Sequence, residues 1–201
     1  MAEDLLSPTA WPLGSRRLSQ LDDSLIIRLM GVGGDGIMTA GRVLSEAAAM
    51  SGLEVLSGAT YSAEVRGGET MYQLRVSPST LLTEGDRVDI VVVLNHEADL
   101  AHREDLLTGE VLLYDSVHDA VPRARPPGVV SYPVPMTQLA EAAGAAVAKN
   151  VVALGVLAEL FGFSLTNIET SLRKRFAAKG SHVVASNLTA LAGGARYVKD
   201  H

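Results

Sequence analysis

The chain contains no cysteine among its 201 residues. Disulfides, a thiolate nucleophile and iron–sulfur clusters ligated by cysteine are therefore excluded within this chain. The five histidines show neither the H-x-x-x-H nor the H-E-x-x-H spacing that zinc sites use, so we predict no metal site in the chain. These histidines are His96, His102, His118, His182 and His201.

Long apolar runs and an excess of positive charge are also missing. No uncharged run approaches the roughly 18–20 apolar residues that a membrane-spanning helix needs, and the N-terminus lacks the basic-then-apolar order of a signal peptide. These absences predict a cytoplasmic protein that does not insert into membranes. With 17 Lys and Arg against 23 Asp and Glu, the net charge is −6, which gives no general electrostatic reason to bind nucleic acid.

Arrangements of catalytic side chains are equally absent. The sequence shows no Ser-His-Asp order, no G-x-x-x-x-G-K-S/T phosphate loop and no paired-carboxylate pattern. We therefore predict a binding element with no catalytic residue of its own.

The composition indicates one well-filled α/β domain. Apolar residues make up 47% of the chain, whereas aromatic residues make up 4%, and Ala, Val, Leu and Gly are abundant. The length suits one substantial domain rather than two. Residues 1–22, with two prolines and scattered charges, are predicted to form an N-terminal arm, and residues 23–201 the domain.

The most informative segment is residues 25–36, Leu-Ile-Ile-Arg-Leu-Met-Gly-Val-Gly-Gly-Asp-Gly, where an apolar run leads into a glycine-rich loop. Gly31, Gly33 and Gly36 fit G-x-G-x-x-G, Gly34 adds a fourth glycine, and a helix-forming stretch follows directly. A strand, a tight turn and a helix start can bind phosphate through backbone N–H groups alone. The alternative is a strand–helix turn that needs small residues only for packing.

The order of predicted elements places a second loop beside the first. Strands are predicted at 24–30, 54–57, 70–76, 88–94, 110–114 and 129–134, and helices at 36–51, 97–107, 136–144, 147–162, 165–178 and 183–195. The second and third strands are only about a dozen residues apart with no helical pattern between them, so the third should run antiparallel to the second. The segment 61–68 then lies at the same sheet edge as the glycine loop. The predicted fold is an α/β, open, mostly parallel Rossmann-like sheet with one antiparallel strand and a helical C-terminal layer.

The side chains near these loops leave the ligand open. A NAD site would place an acid at the end of the second strand, but that strand is predicted to end Leu56-Ser57-Gly58. Coenzyme A or NADP remains, and either would favour a nearby guanidinium, for which Arg66 is the candidate. Arg66 could instead pair with Glu64 or Glu69 on the surface.

Several further polar residues have an ordinary structural explanation. Asn95, Asp115 and Ser116 follow predicted strands at the ligand edge, where polar residues bind ligands, but they suit helix capping and turns better. Arg42, two turns into the first helix, is predicted to be a solvated surface charge.

Four segments together resemble the gamma subunit, or gamma domain, of the 2-oxoacid:ferredoxin oxidoreductases. They are Gly31-Val-Gly-Gly-Asp-Gly36, Tyr61-Ser-Ala-Glu-Val-Arg-Gly-Gly68, Asn150-Val-Val-Ala-Leu-Gly155, and the stretch from Lys179-Gly180 through Asn187 to Gly194. Their order and spacing hold over roughly residues 24–197. The family often has Gln where this chain has Asp35, and a carboxylate beside a phosphate is unfavourable. Asp35 is therefore expected to point away from the ligand or to cap the helix.

The resemblance implies a non-redox subunit of a larger complex. Such complexes oxidatively decarboxylate a 2-oxoacid to an acyl-CoA and pass electrons to ferredoxin or another acceptor. Thiamine diphosphate, Mg and iron–sulfur clusters are expected in the alpha, beta and delta (ferredoxin-like) partner subunits. In this chain the resemblance places Gly31, Gly33, Gly34 and Gly36 near the phosphates of coenzyme A, with Arg66 beside them or at a subunit interface formed by Tyr61, Glu64, Arg66, Gly67 and Gly68.

Three hypotheses follow. The chain contributes to coenzyme A binding and assembly, or it is purely an assembly subunit whose glycine loop contacts protein, or it is a stand-alone NADP- or nucleotide-binding protein.

Overall fold

A six-stranded sheet forms the centre of the protein. The computed structural model describes residues 18, 23–61, 68–95, 111–117 and 129–201. The strands are β1 (Leu25–Val32), β2 (Glu54–Tyr61), β3 (Glu69–Ser77), β4 (Ile90–Val93), β5 (Val111–Asp115) and β6 (Val130–Val134), in the spatial order β2-β3-β1-β4-β5-β6. β3 is antiparallel to both of its neighbours, whereas β1, β4, β5 and β6 pair in parallel. The predicted sheet with one antiparallel strand is confirmed.

The register of β3 brings three chain segments to one edge of the sheet. Val32 at the end of β1 lies opposite Glu69, and Tyr61 at the end of β2 lies opposite Thr70. The glycine loop and both ends of the 61–68 segment therefore share this edge, as predicted. Residues 62–67 lie outside the described residues.

The helices are α1 (Ile37–Met50), α2 (Met136–Ala142), α3 (Lys149–Phe161), α4 (Leu165–Phe176) and α5 (Ser181–Asp200), with a short 3₁₀ turn at Ala177–Lys179. The predicted helical C-terminal layer is confirmed. The helix predicted at 97–107 lies outside the described residues, as does the arm except for Leu18, which packs against the main core.

Side chains alternate between the two faces of the sheet. On β1, Leu25 and Ile27 join the larger core cluster that contains the helices, whereas Ile26 and Met30 join a smaller cluster on the opposite face. All four residues of β4 are buried, which is the pattern of a central parallel strand.

Two glycines bring α3 and α5 into close contact in the core. A Cβ at Gly155 of α3 would collide with the backbone carbonyl of Leu191, and one at Gly194 of α5 would collide with that of Val152. Because neither residue has a side chain, the two backbones approach each other directly. This contact fixes α3, whose first residues reach the glycine loop.

Within the described ranges, none of the helices combines the length and apolar character that crossing a bilayer would require.

Candidate functional site

The candidate site lies at the carboxyl edge of the sheet, between β1 and β4. β1 has the antiparallel β3 on one side and the parallel β4 on the other. In open α/β sheets, ligands bind at the carboxyl ends of strands where the direction of chain progression reverses. The glycine loop follows β1 at this point, and Leu94 follows β4.

Three N–H groups at the start of the loop are occupied by partners within the protein. The Val32 N–H donates to Oδ2 of Asp35 at 2.9 Å, and the Asp35 N–H donates to the Val32 carbonyl at 3.1 Å. The Gly33 N–H donates to the Gly68 carbonyl at 2.9 Å, which ties the two loops together. Within the described residues, the N–H groups of Gly34 and Gly36 donate to no protein acceptor.

The four glycines therefore have different environments. Gly31 is buried, and a Cβ there would lie 2.8 Å from Oδ2 of Asp35. Gly34 is exposed, has φ +108° and would place a Cβ in open space, whereas Gly36 has φ +74° and would place one 2.5 Å from the Asn150 amide. Gly34 and Gly36 thus combine unpaired donors with a left-handed backbone that favours glycine.

The start of α1 adds further donors. The first helical hydrogen bond runs from the Ala40 N–H to the Gly36 carbonyl at 2.9 Å, so the preceding helical N–H groups have no partner in the helix. Gly36 offers no side chain to cap them, and the first turn contains no acidic residue. This end of the helix carries partial positive charge and suits an anion.

Asp35 turns inward rather than capping α1. Its Oδ2 accepts the Val32 N–H, and its Oδ1 forms a 2.9 Å ion pair with Nζ of Lys149. The two side chains are only 12% and 18% exposed. The negative charge of the loop is therefore compensated, and the capping alternative for Asp35 is not what the structure shows.

The first two residues of α3 hold the loop against β4. Lys149 also donates to the Leu94 carbonyl at 2.6 Å, and the buried Asn150 amide donates to the Gly36 carbonyl at 3.0 Å. Lys149 was not among the residues predicted from the sequence. The available signal was a lysine opening a mostly apolar helix, where its charge opposes the helix dipole.

Three other polar residues singled out in the sequence have ordinary structural environments. Arg42 is exposed, as predicted. Asp115 accepts the N–H groups of Val117 and Thr137, each at 3.3 Å, together with the Thr137 hydroxyl, so its structural role in a turn and at the start of α2 is confirmed. Ser116 donates its N–H to the Val134 carbonyl at 2.9 Å.

The predicted interface loop is described only at its two ends. The backbone of Tyr61 ends β2, and Gly68 is buried and bonded to Gly33. Glu64, Arg66 and Gly67 lie outside the described residues. Elsewhere, the described part of the chain contains no group of three or more His, Asp or Glu side chains that could hold a metal ion.

Comparison with protein families identifies the family. The family model described as pyruvate ferredoxin/flavodoxin oxidoreductase matches residues 26–197. The chain belongs to this family. The match confirms the resemblance drawn from the four segments between Gly31 and Gly194.

Two relatives show how the family domain occurs. KorC, a 2-oxoglutarate synthase subunit of Archaeoglobus fulgidus, is 32% identical over 153 residues, which cover 74% of this chain and 77% of KorC. KorA, a 2-oxoglutarate oxidoreductase subunit of Mycobacterium tuberculosis, is 30% identical over 203 residues, which cover 87% of this chain but 31% of KorA.

Two solved structures have the same fold. The 2-oxoglutarate:ferredoxin oxidoreductase of Magnetococcus marinus, with 2-oxoglutarate, coenzyme A and succinyl-CoA bound, has a TM-score of 0.84 and 38% identity, covering 90% of this chain and 32% of that one. The gamma subunit of the keto/oxoacid ferredoxin oxidoreductase of Geobacter sulfurreducens has a TM-score of 0.72 and 27% identity, covering 88% and 99%. This chain thus spans about a third of the KorA and Magnetococcus chains and nearly the whole Geobacter subunit.

Proposed function

We propose that this chain is the gamma subunit of a multisubunit oxidoreductase that oxidatively decarboxylates a 2-oxoacid to an acyl-CoA, with ferredoxin or another electron acceptor. Its role is to contribute to coenzyme A binding and to assembly, in the cytoplasm. Alpha, beta and delta subunits would supply thiamine diphosphate, Mg and iron–sulfur clusters. Family membership supports the complex, and the lack of cysteine fits a subunit without its own cluster.

One observation carries the coenzyme A part of the proposal. The N–H groups of Gly34 and Gly36 and the uncapped start of α1 form a cluster of donors without protein acceptors among the described residues. A pyrophosphate is a suitable acceptor for such a cluster. The coenzyme A bound in the Magnetococcus relative gives independent support. Arg66 would add a guanidinium to the ligand or to a subunit contact.

Two alternatives are a pure assembly subunit and a stand-alone NADP-binding protein, and the structure bears on each. The bond from Gly33 to Gly68 lies within this chain, so it gives the glycine loop a role in the fold, whereas the assembly alternative requires the loop to contact a partner subunit. The NADP-binding alternative is weakened by the sheet order, because β3 separates β1 from β2. In dinucleotide-binding sheets, the end of the second strand is adjacent to the glycine loop. In this sheet it is not, because one strand lies between them.

The proposal is tested on the native complex, purified through a tag on this chain. We expect mass spectrometry to recover thiamine-binding and iron–sulfur subunits, and acceptor reduction to require both a 2-oxoacid and coenzyme A. A solitary chain without partners would contradict the proposed function and favour nucleotide binding.

A matched pair of substitutions separates ligand binding from assembly. Gly34→Asp places a carboxylate among the open donors, so we expect it to raise the KM for coenzyme A about tenfold or more while the complex still assembles. Gly52→Asp is the control, because Gly52 lies beyond the other end of α1, has φ +81° and also faces open space. Equal effects of the two substitutions, or loss of assembly in Gly34→Asp alone, would favour the assembly hypothesis.

A further inference from the structure

The Lys149 ammonium is held by two chain segments far from its own helix. Nζ lies 2.9 Å from Oδ1 of Asp35 in the glycine loop and 2.6 Å from the Leu94 carbonyl at the end of β4. The side chain is 18% exposed. Removing a charge from water is costly unless partners of this kind replace the lost hydration.

The helix that contains Lys149 does not stabilise its positive charge. It is the first residue of α3, where the partial positive charge of the helix disfavours a cation, and the first turn contains no acidic residue. Ten of the 13 residues of α3 are buried, so the helix is held by packing rather than by charge. The favourable contacts of Lys149 are therefore those it makes with the loop and with β4.

Asp35 depends on this cation. In the sequence it stands between Gly34 and Gly36, the two glycines whose N–H groups have no protein acceptor in the described residues. With Lys149 in place, the carboxylate is neutralised and turned onto the Val32 N–H. Without Lys149, an uncompensated negative charge would stand beside the donors that an anionic ligand requires.

We propose that Lys149 is a positioning residue for the anionic ligand: it neutralises Asp35 and holds that carboxylate away from the open N–H groups of the loop. This inference rests on the proposed function, since it takes the phosphates of coenzyme A as the anion. It predicts that the harm done by removing Lys149 comes from Asp35 and is relieved when Asp35 is neutralised as well.

The experiment compares Lys149→Met with the double variant Asp35→Asn/Lys149→Met in the purified native complex. We expect Lys149→Met to raise the KM for coenzyme A about tenfold, with kcat changed less than about twofold, and the double variant to recover most of that loss. Recovery in the double variant does not by itself separate positioning from folding, because removing both partners of a buried ion pair also removes the unpaired charge that destabilises the single variant. The unfolding temperature of each complex is therefore measured beside the KM. A residue needed only for folding would lower the unfolding temperature and the yield of complex, while the KM of the molecules that assemble stays unchanged. Lys199→Met is the matched control, since Lys199 lies on α5, is 60% exposed and pairs only with Glu159 in the described structure.

The outcomes separate this inference from the proposed function. An unchanged KM in Lys149→Met, or a double variant no better than the single one, would overturn the role of Lys149 while coenzyme A dependence of the wild type still stands. If Lys149→Met fails to assemble, the KM for coenzyme A of Asp35→Asn/Lys149→Met decides whether the inference holds. A KM within about threefold of wild type supports the proposal, and a larger rise overturns it. A wild-type complex that turns over without coenzyme A would contradict the proposed function itself and this inference with it.

Discussion

Tyr132 on β6 and Tyr197 on α5 lie close enough for one phenol to influence the other. Burial raises the pKa of both above the ordinary value of 10.0, and the neighbouring Tyr197 raises the pKa of Tyr132 further. The Tyr197 hydroxyl also donates to the Pro133 carbonyl at 3.3 Å, which a phenolate cannot do. Both effects favour the neutral phenol in the folded protein.

A raised pKa in the folded state makes stability depend on alkaline pH. The contribution is fully present below the unfolded pKa of about 10 and is lost as pH rises through the higher folded values. We therefore expect the unfolding temperature to fall above about pH 10, in step with phenolate absorbance. Tyr197→Phe should lessen this alkaline fall. An identical pH profile in wild type and variant would show that the pair does not contribute.

The Asp35–Lys149 pair shows which residue-level features a sequence conceals. The glycine motif could be recognised in the sequence because its glycines lie within six residues. The inward orientation of Asp35 agrees with the expectation that an unpaired carboxylate beside a phosphate is unfavourable. The partner of Asp35, however, is Lys149, which is 114 positions away in the sequence. Neither Lys149 nor Leu94, whose carbonyl it contacts, belongs to a recognisable sequence motif. Such pairs become apparent only when the packing of α3 is known.

At the scale of elements, β2 and α5 were both predicted too short. β2 was predicted to end at Ser57 but continues to Tyr61 through Gly58, because β3 pairs with its whole length. The prediction for α5 covered 183–195, whereas the helix spans Ser181–Asp200. In β2, tertiary pairing overrides the weak strand propensity of Gly58. In α5, the predicted and observed bounds differ by two residues at the start and five at the end, and both glycines of the helix lie inside the predicted span. The antiparallel direction of β3 was predictable, because the short connection allows no parallel crossover.

Adjacent glycines in α5 provide a test of the packing between α3 and α5. Gly194→Ala would drive a methyl group into the Val152 carbonyl, and we expect it to lower the free energy of unfolding by about 1–3 kcal/mol. Gly193→Ala meets nothing within 4 Å and should stabilise the helix by about 0.5–1 kcal/mol. Chemical denaturation of the two variants measures the contrast. Similar values for both would mean that α3 can shift away without cost.

At the scale of the whole molecule, the sheet order determines where a ligand can bind. The mostly parallel sheet and its edge with two loops were predictable from the alternation of elements. The position of β3 between β1 and β2 was not, because strand order depends on which edges pair rather than on connection length. This insertion moves the end of β2 away from the glycine loop and leaves the site between β1 and β4, with α3 as its third side.

That geometry predicts which ligand stabilises the assembled protein against thermal unfolding. A ligand that binds only the folded state at about 100 times its Kd adds roughly 2.7 kcal/mol, which corresponds to an increase of about 5–10 °C in unfolding temperature for a domain of this size. We expect coenzyme A, and not NADP, to produce this shift in the native complex. Hydrogen exchange should slow most at Gly34 and at residues 36–39, whose N–H groups have no protein acceptor among the described residues. Protection by NADP alone would instead favour a nucleotide-binding protein, and protection by neither would leave assembly as the function of this chain.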